Sequence, residues 1–261
     1  MEAGSDTDKT EILICSCDKY QDVWPAFFTL FFRYWPDCPF RINLLANQRS
    51  FPDPRVKTLH TPAEADWSTT FQMALRLVEG EYVLVTMEDY LLDQPVDTAR
   101  LRELIAIMME HGAVCVHLGP DPRPEQPLPG ANGVGIVVPG QAFRVNLQTA
   151  VWQRSTLLDL VVPGESAWDF EVVGTKRSVG LEAPFLSLDS SECDSPFHYY
   201  RTGVVRGKWM PGAVRLCQRE GIAIDTRQRP VGWVRGLVRD TPALRPLREG
   251  FVWVKRRLGK N

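Results

Sequence analysis

The sequence predicts an α/β fold with a mostly parallel central sheet flanked by helices. Three observations predict it. Short apolar runs of strand length alternate with longer amphipathic stretches from Ile12 to Leu118, the βαβ rhythm of a parallel sheet covered by helices. The run Tyr82-Val83-Leu84-Val85-Thr86-Met87 is a largely apolar, β-branched run instead of an alternating one, as a strand buried on both faces requires. The chain has 261 residues, 44% hydrophobic and 24% charged, enough for one large domain with a sizeable core.

The elements follow in order. Ile12–Cys15 reads as the first strand, SCDKYQD as the loop behind it, and Val23–Tyr34 as a helix with Pro25 in its first turn, where a missing N–H does no harm. Arg41–Ala46 and Arg55–Leu59 read as strands, and Trp67–Val78 as a helix capped by Asp66. Tyr82–Met87 follows, then a helix over Asp97–Glu110 and a strand over Ala113–Leu118. Beyond the Pro/Gly loop 121–133 the pattern changes. GVGIVVPGQAFRVNLQ reads as two strands around Pro139-Gly140, Leu147–Val161 as a helix, and ESAWDFEVVGTKRS as the start of another. Residues 183–206 read as strands and loops, and Pro211–Glu220 as a helix.

The net charge of -2 hides an asymmetry. Residues 1–200 carry 15 basic against 28 acidic side chains, a net of -13, whereas residues 201–261 carry 15 against 4, a net of +11. An acidic body with a basic end suits contact with phosphate, on a nucleotide or an anionic lipid surface. The six cysteines form no CxxC pair, so zinc is not expected and reduced thiols in a cytoplasmic setting are. The opening MEAGSDTDKTE is polar, unlike a secretory leader. No apolar run reaches the roughly 18 residues of a membrane span, so any membrane contact is expected to be peripheral.

In an open α/β sheet ligands gather at the carboxyl ends of the strands. That rule places Ser16-Cys17-Asp18, Ala46-Asn47 and Glu88-Asp89 on one edge. Adjacent carboxylates repel, so Glu88-Asp89 either sits solvated in a turn, caps a helix or awaits a cation. A second cluster is GESAWDFE, residues 164–171. Ser166 followed by Asp169 matches a capping arrangement. Glu165 and Asp169, four apart, would alternatively share a helix face beside Trp168, with Glu171 pointing elsewhere, and a carboxylate against an indole is a candidate general base.

The order of motifs resembles that of GT-A-type nucleotide-sugar glycosyltransferases, especially bacterial enzymes of capsular and other surface polysaccharides. ILICSCDKY, ADWSTTFQMALRLVEGEYVLVTMEDYLL, FRVNLQTAVWQRSTLLDLVVPGESAWDFE and VVRGKWMPGA carry the resemblance and cover most of residues 11–225. It implies a GT-A-like, Rossmann-like sheet in which Ser16, Asp18 and Tyr20 hold the nucleotide and Asp66, Trp67 and Ser68 cover the donor. Glu88 and Asp89 would face the sugar diphosphate, usually through Mg²⁺ or Mn²⁺. Gln148 and Trp152 would shape the sugar and acceptor pocket, and Asp169, then Glu171, with Glu165 beside them, would supply the base. The usual metal motif has aspartates two apart, and here Tyr90 occupies the place of the second. Either Asp89 binds metal with help from a residue such as His198, itself otherwise an ordinary surface or core histidine, or Arg206 and Lys208 with Arg201 stabilise the diphosphate instead.

Residues 1–225 are thus expected to form the catalytic domain and 226–261 a basic amphipathic helical appendage, lying on an anionic membrane or packed on the domain. The expected partners are a nucleotide-sugar donor, a saccharide or lipid-linked saccharide acceptor and possible membrane lipid, with no nucleic acid. A catalytically silent nucleotide- or glycan-binding relative and a sugar hydrolase are the alternatives.

Overall fold

Period-two alternation of side chains places successive residues of a strand on opposite faces of a sheet, and both faces of this sheet are covered. The computed structural model describes residues 9–62, 65–189 and 195–232. The strands are β1 (Thr10–Cys15), β2 (Arg41–Ala46), β3 (Val56–His60), β4 (Tyr82–Met87), β5 (Leu91–Leu92), β6 (Cys115–His117), β7 (Gln126–Pro127), β8 (Val134–Ile136), β9 (Ala150–Gln153), β10 (Phe185–Leu188), β11 (Tyr199–Tyr200), β12 (Val204–Val205) and β13 (Lys208–Trp209). The helices are α1 (Trp24–Tyr34), α2 (Trp67–Leu77), α3 (Thr98–Glu110), α4 (Arg154–Leu160), α5 (Ala167–Arg177) and α6 (Pro211–Arg219).

The main sheet has the order β3-β2-β1-β4-β9-β6-β10-β8-β7. The first four strands pair in parallel, β9 runs antiparallel to both β4 and β6, and β10 lies parallel to β6. The sheet is therefore mixed and mostly parallel. Ile12, Ile14 and Leu84 pack into one core with α1, α3 and α6, while Leu13, Val83 and Val85 pack into a second with α2, α4 and α5. Two cores, one per face, explain why Ile12–Cys15 of β1 and Tyr82–Val85 of β4 are apolar at every step. Phe27, Phe28 and Phe31 of α1 are at most 2% exposed, and each contributes roughly 1.5–3 kcal/mol by leaving water.

Two expected elements are corrected. Ala150–Gln153 is not helical but is the strand β9, since β4 and β6 each present an edge to it and bury Ala150, Val151 and Trp152. The helix begins only at Arg154. The second strand expected in 141–148 is a loop, pinned from below by Arg144. That side chain is 1% exposed and donates from Nε to the Val137 carbonyl at 3.1 Å and from Nη1 to the Ser178 carbonyl, with its guanidinium over Phe185. Cys15 and Cys115 are buried free thiols. Among the described residues no helix is long and apolar enough to cross a membrane. Thr226–Gly232 is a turn and a short strap on β13, and the rest of the expected appendage lies outside the described residues.

Candidate active site

The carboxyl ends of β1, β2 and β4 meet as the motif order implied, but most of their carboxylates are already hydrogen-bonded. Asp18 clamps the loop after β2: Oδ1 accepts from the backbone of Asn47 at 3.0 Å and Arg49 at 3.3 Å, and Oδ2 from Gln48 at 3.0 Å. Burial pushes its pKa up, and these backbone donors outweigh it, leaving it lowered. Ser16 Oγ accepts from Trp24 Nε1 at 2.7 Å. Tyr20 lies 4.6 Å beneath the guanidinium of Arg229, which pairs with Asp22 at 2.7 and 2.8 Å and donates to the Lys19 carbonyl. Nothing local in the sequence marks Arg229, because its partners lie some 200 residues away.

Glu88 and Asp89 are 7% and 8% exposed. Burial and then the Asp89 charge push the Glu88 carboxyl well above its ordinary range. Asp89 Oδ2 accepts from the Val204 N–H at 3.0 Å and its carbonyl from Gly203 at 2.8 Å, so it carries the β12–β13 hairpin. Arg206 and Gly207, at φ 50° and 72°, make the two-residue turn of that hairpin. Arg206 and Lys208 stand exposed on it.

Tyr90 turns away from the acidic pair. It stacks on Tyr199 with ring centroids 4.9 Å apart, and its hydroxyl donates to the Leu147 carbonyl at 3.4 Å. Gln148 bridges the two rings, donating from Nε2 to the Tyr90 hydroxyl at 3.3 Å and accepting at Oε1 from the Tyr199 hydroxyl at 3.4 Å. His198 lies opposite Asp93 on the β5–β11 ribbon, whereas Asp89 lies opposite Gly203. Among the described residues no group of three His, Cys, Asp or Glu could hold a metal ion. With Asp89 bonded to Val204 and Tyr90 stacked on Tyr199, the described residues offer no cluster of ligands for the Mg²⁺ or Mn²⁺ that the motif order implied.

Asp66 caps α2. Its Oδ1 accepts from Thr69 N at 2.9 Å, from Ser68 Oγ at 2.6 Å and from Gly164 N at 3.1 Å. Ser68 Oγ accepts from Glu165 N, and Trp67 packs on Phe71 and Phe170. These three residues staple α2 to the segment that starts α5. Glu165 precedes α5 and pairs with Arg177 at 2.6 and 2.7 Å, so it shares no helix face with Asp169. Asp169 is the exposed half of a capping box with Ser166, whose hydrogen bonds hold its carboxyl below the usual range. A group so held is a poor base.

Glu171, two residues further on, points inward. Oε1 accepts from Leu147 N at 2.9 Å, and burial raises its pKa, offset in part by that bond. It lines a cavity of about 750 Å³ with Asp121, Arg123, Phe143, Asn146 and Gln148. Asn146 holds the rim, donating to the carbonyls of Phe143 at 3.0 Å and Asp121 at 3.3 Å and accepting from Gln148 N at 2.8 Å. Trp152 is not part of this pocket. Being on β9, it is 1% exposed between His117 and Phe185.

Neither a protein-family model nor a curated protein matches the chain. Solved structures overlap with it loosely. TarS 1-349 of S. aureus in complex with UDP-GlcNAc aligns at a TM-score of 0.49 and 12% identity, over 74% of this chain and 57% of that one. Without ligand the same fragment aligns at 0.47 and 16%, over 75% and 60%. The mannosyltransferase PcManGT of Pyrobaculum calidifontis, in complex with GDP-Man and Mn2+, aligns at 0.49 and 11%, over 97% and 76%. This chain thus spans about 60% of the TarS fragment. Overlaps this loose assign no activity.

Proposed function

We propose that the chain is a GT-A-like glycosyltransferase that moves a sugar from a nucleotide donor to a saccharide acceptor, lipid-linked or free, in the assembly of a surface polysaccharide. One observation carries the reading: the partly desolvated Glu171 lines a polar cavity whose Gln148 is held by Tyr90, the residue next to the buried Glu88-Asp89 pair. A base, a sugar-sized pocket and the strand edge that takes nucleotides in α/β sheets thereby adjoin.

In this mechanism Glu171 removes the proton of the acceptor hydroxyl as that oxygen bonds to the anomeric carbon. The bond from that carbon to the donor diphosphate breaks, and the electron pair leaves with the diphosphate. Arg206 and Lys208, exposed on the hairpin that Asp89 carries, would screen the leaving charge. Asp169 serves the helix start instead of the chemistry. The basic stretch beyond Gly232 is proposed as contact with an anionic membrane on sequence grounds alone.

Nucleotide release from UDP-, GDP-, dTDP- and CMP-sugars, with and without saccharide acceptors, Mn²⁺ and EDTA, tests the reading. Acceptor-dependent release supports it. Release independent of acceptor points to a hydrolase, and no release with retained nucleotide or glycan binding points to a silent relative.

A further inference from the structure

Trp168 is 63% exposed at the start of α5. Single exposed apolar side chains need no explanation, but this indole is not isolated. Its ring packs edge-on against Phe143, with centroids 6.1 Å apart at 61°. Phe143 is a bulky residue at φ 61°, a left-handed conformation that costs roughly 1–2 kcal/mol. Neighbours enforce it: Asn146 holds its carbonyl, and the buried Arg144 anchors the next residue. The local sequence accepts this cost and sets an aromatic ring on the wall of the Glu171 cavity. Trp168 and Glu171 are three apart on α5, a spacing that places them on neighbouring turns of one face.

We infer that Phe143 and Trp168 form a stacking platform for a pyranose ring of the acceptor, at the mouth of the cavity that holds Glu171. The inference rests on the transferase reading for the word acceptor, though not for the binding itself. A pyranose offers an apolar C–H face and a rim of hydroxyls. The site offers the matching pair: two aromatic rings, and beside them Asn146, Gln148, Arg123 and Asp121. A lipid chain or a second copy of this protein would cover the rings but leave those polar groups facing apolar surface, at a desolvation cost. Pockets that take small polar ligands combine aromatic walls with a few convergent polar groups in this way.

The test uses the full chain. Oligosaccharides of glucose, galactose, mannose and N-acetylglucosamine are titrated against wild type, Trp168→Ala and Trp168→Tyr by tryptophan fluorescence and ligand-observed NMR, without donor. At least one is expected to bind wild type, about tenfold more weakly to Trp168→Ala and with recovery in Trp168→Tyr, as a stacking contribution of about 1.4 kcal/mol gives. In turnover assays the acceptor KM rises by a similar factor in Trp168→Ala, while the donor KM stays within about twofold. Thermal melts confirm folding, since the indole is exposed. Equal saccharide affinity in wild type and Trp168→Ala overturns the platform even where turnover is seen. So does a Trp168-dependent loss of dimer in ultracentrifugation, or of binding to phosphatidylglycerol vesicles, with saccharide affinity unmoved. Trp168-dependent saccharide binding with no turnover upholds the platform and removes the transferase reading.

Discussion

The two sides of the sheet's carboxyl edge use their acidic groups in opposite ways. On the β1–β2–β4 side, Asp18 holds three backbone N–H groups, Asp66 caps α2 and Asp89 carries a hairpin. On the β6–β9–α5 side, Glu171 accepts from one backbone N–H and otherwise faces a cavity. Hydrogen bonds to a carboxylate favour its charged form, and burial disfavours it. Apart from the buried Glu88, whose proton affinity is also raised, the first side is therefore tuned for architecture, while Glu171 combines a raised proton affinity with a place on a cavity wall. Asp169 and Glu171 repeat the contrast two residues apart on one helix.

Substitutions can break this comparison, the largest effect first. Glu171→Gln keeps size and the Leu147 contact but removes the base, and turnover is expected to fall by about 10²–10⁴ with donor binding retained. Steady-state kinetics beside donor titration checks it. Asp18→Ala leaves three N–H groups without their acceptor, and a loss of about 1–2 kcal/mol in urea unfolding is expected, reduced by partial exposure of the site. Asp169→Asn still caps the helix, so turnover is expected within about twofold of wild type. Loss of turnover in Asp169→Asn with retention in Glu171→Gln would invert the assignment.

Much of this fold is legible in the sequence where local signals suffice. β2 and β4 have the bounds expected from their apolar runs, and Asp66, Asp97 and Ser166 are helix caps of the kinds their residue types favour. β9 is not legible, because AVWQ runs into the helix-forming RSTLLDL, and its strand state depends on edges supplied by β4 and β6. The site divides the same way. The edge of Ser16, Asp18, Glu88 and Asp89 follows from strand direction alone. The sequence ranks Asp169 ahead of Glu171 although the Ser166–Asp169 spacing already matches a cap, and it cannot show the 143–148 loop, whose Leu147 N–H bonds Glu171 and whose Arg144 is buried. Arg229 carries no local pattern and is visible only once Asp22 and Tyr20 are beside it.

The most direct test of the central claim is the pH dependence of kcat/KM in wild type and Glu171→Gln. A base works only when deprotonated, so activity must fall as pH drops through its pKa. Burial raises the pKa of Glu171, so the acid limb is expected above the ordinary glutamate value of about 4.3. The limb should be absent from the residual activity of Glu171→Gln. An unchanged limb in Glu171→Gln, or a wild-type profile with no acid limb, would contradict the assignment of Glu171 as the base.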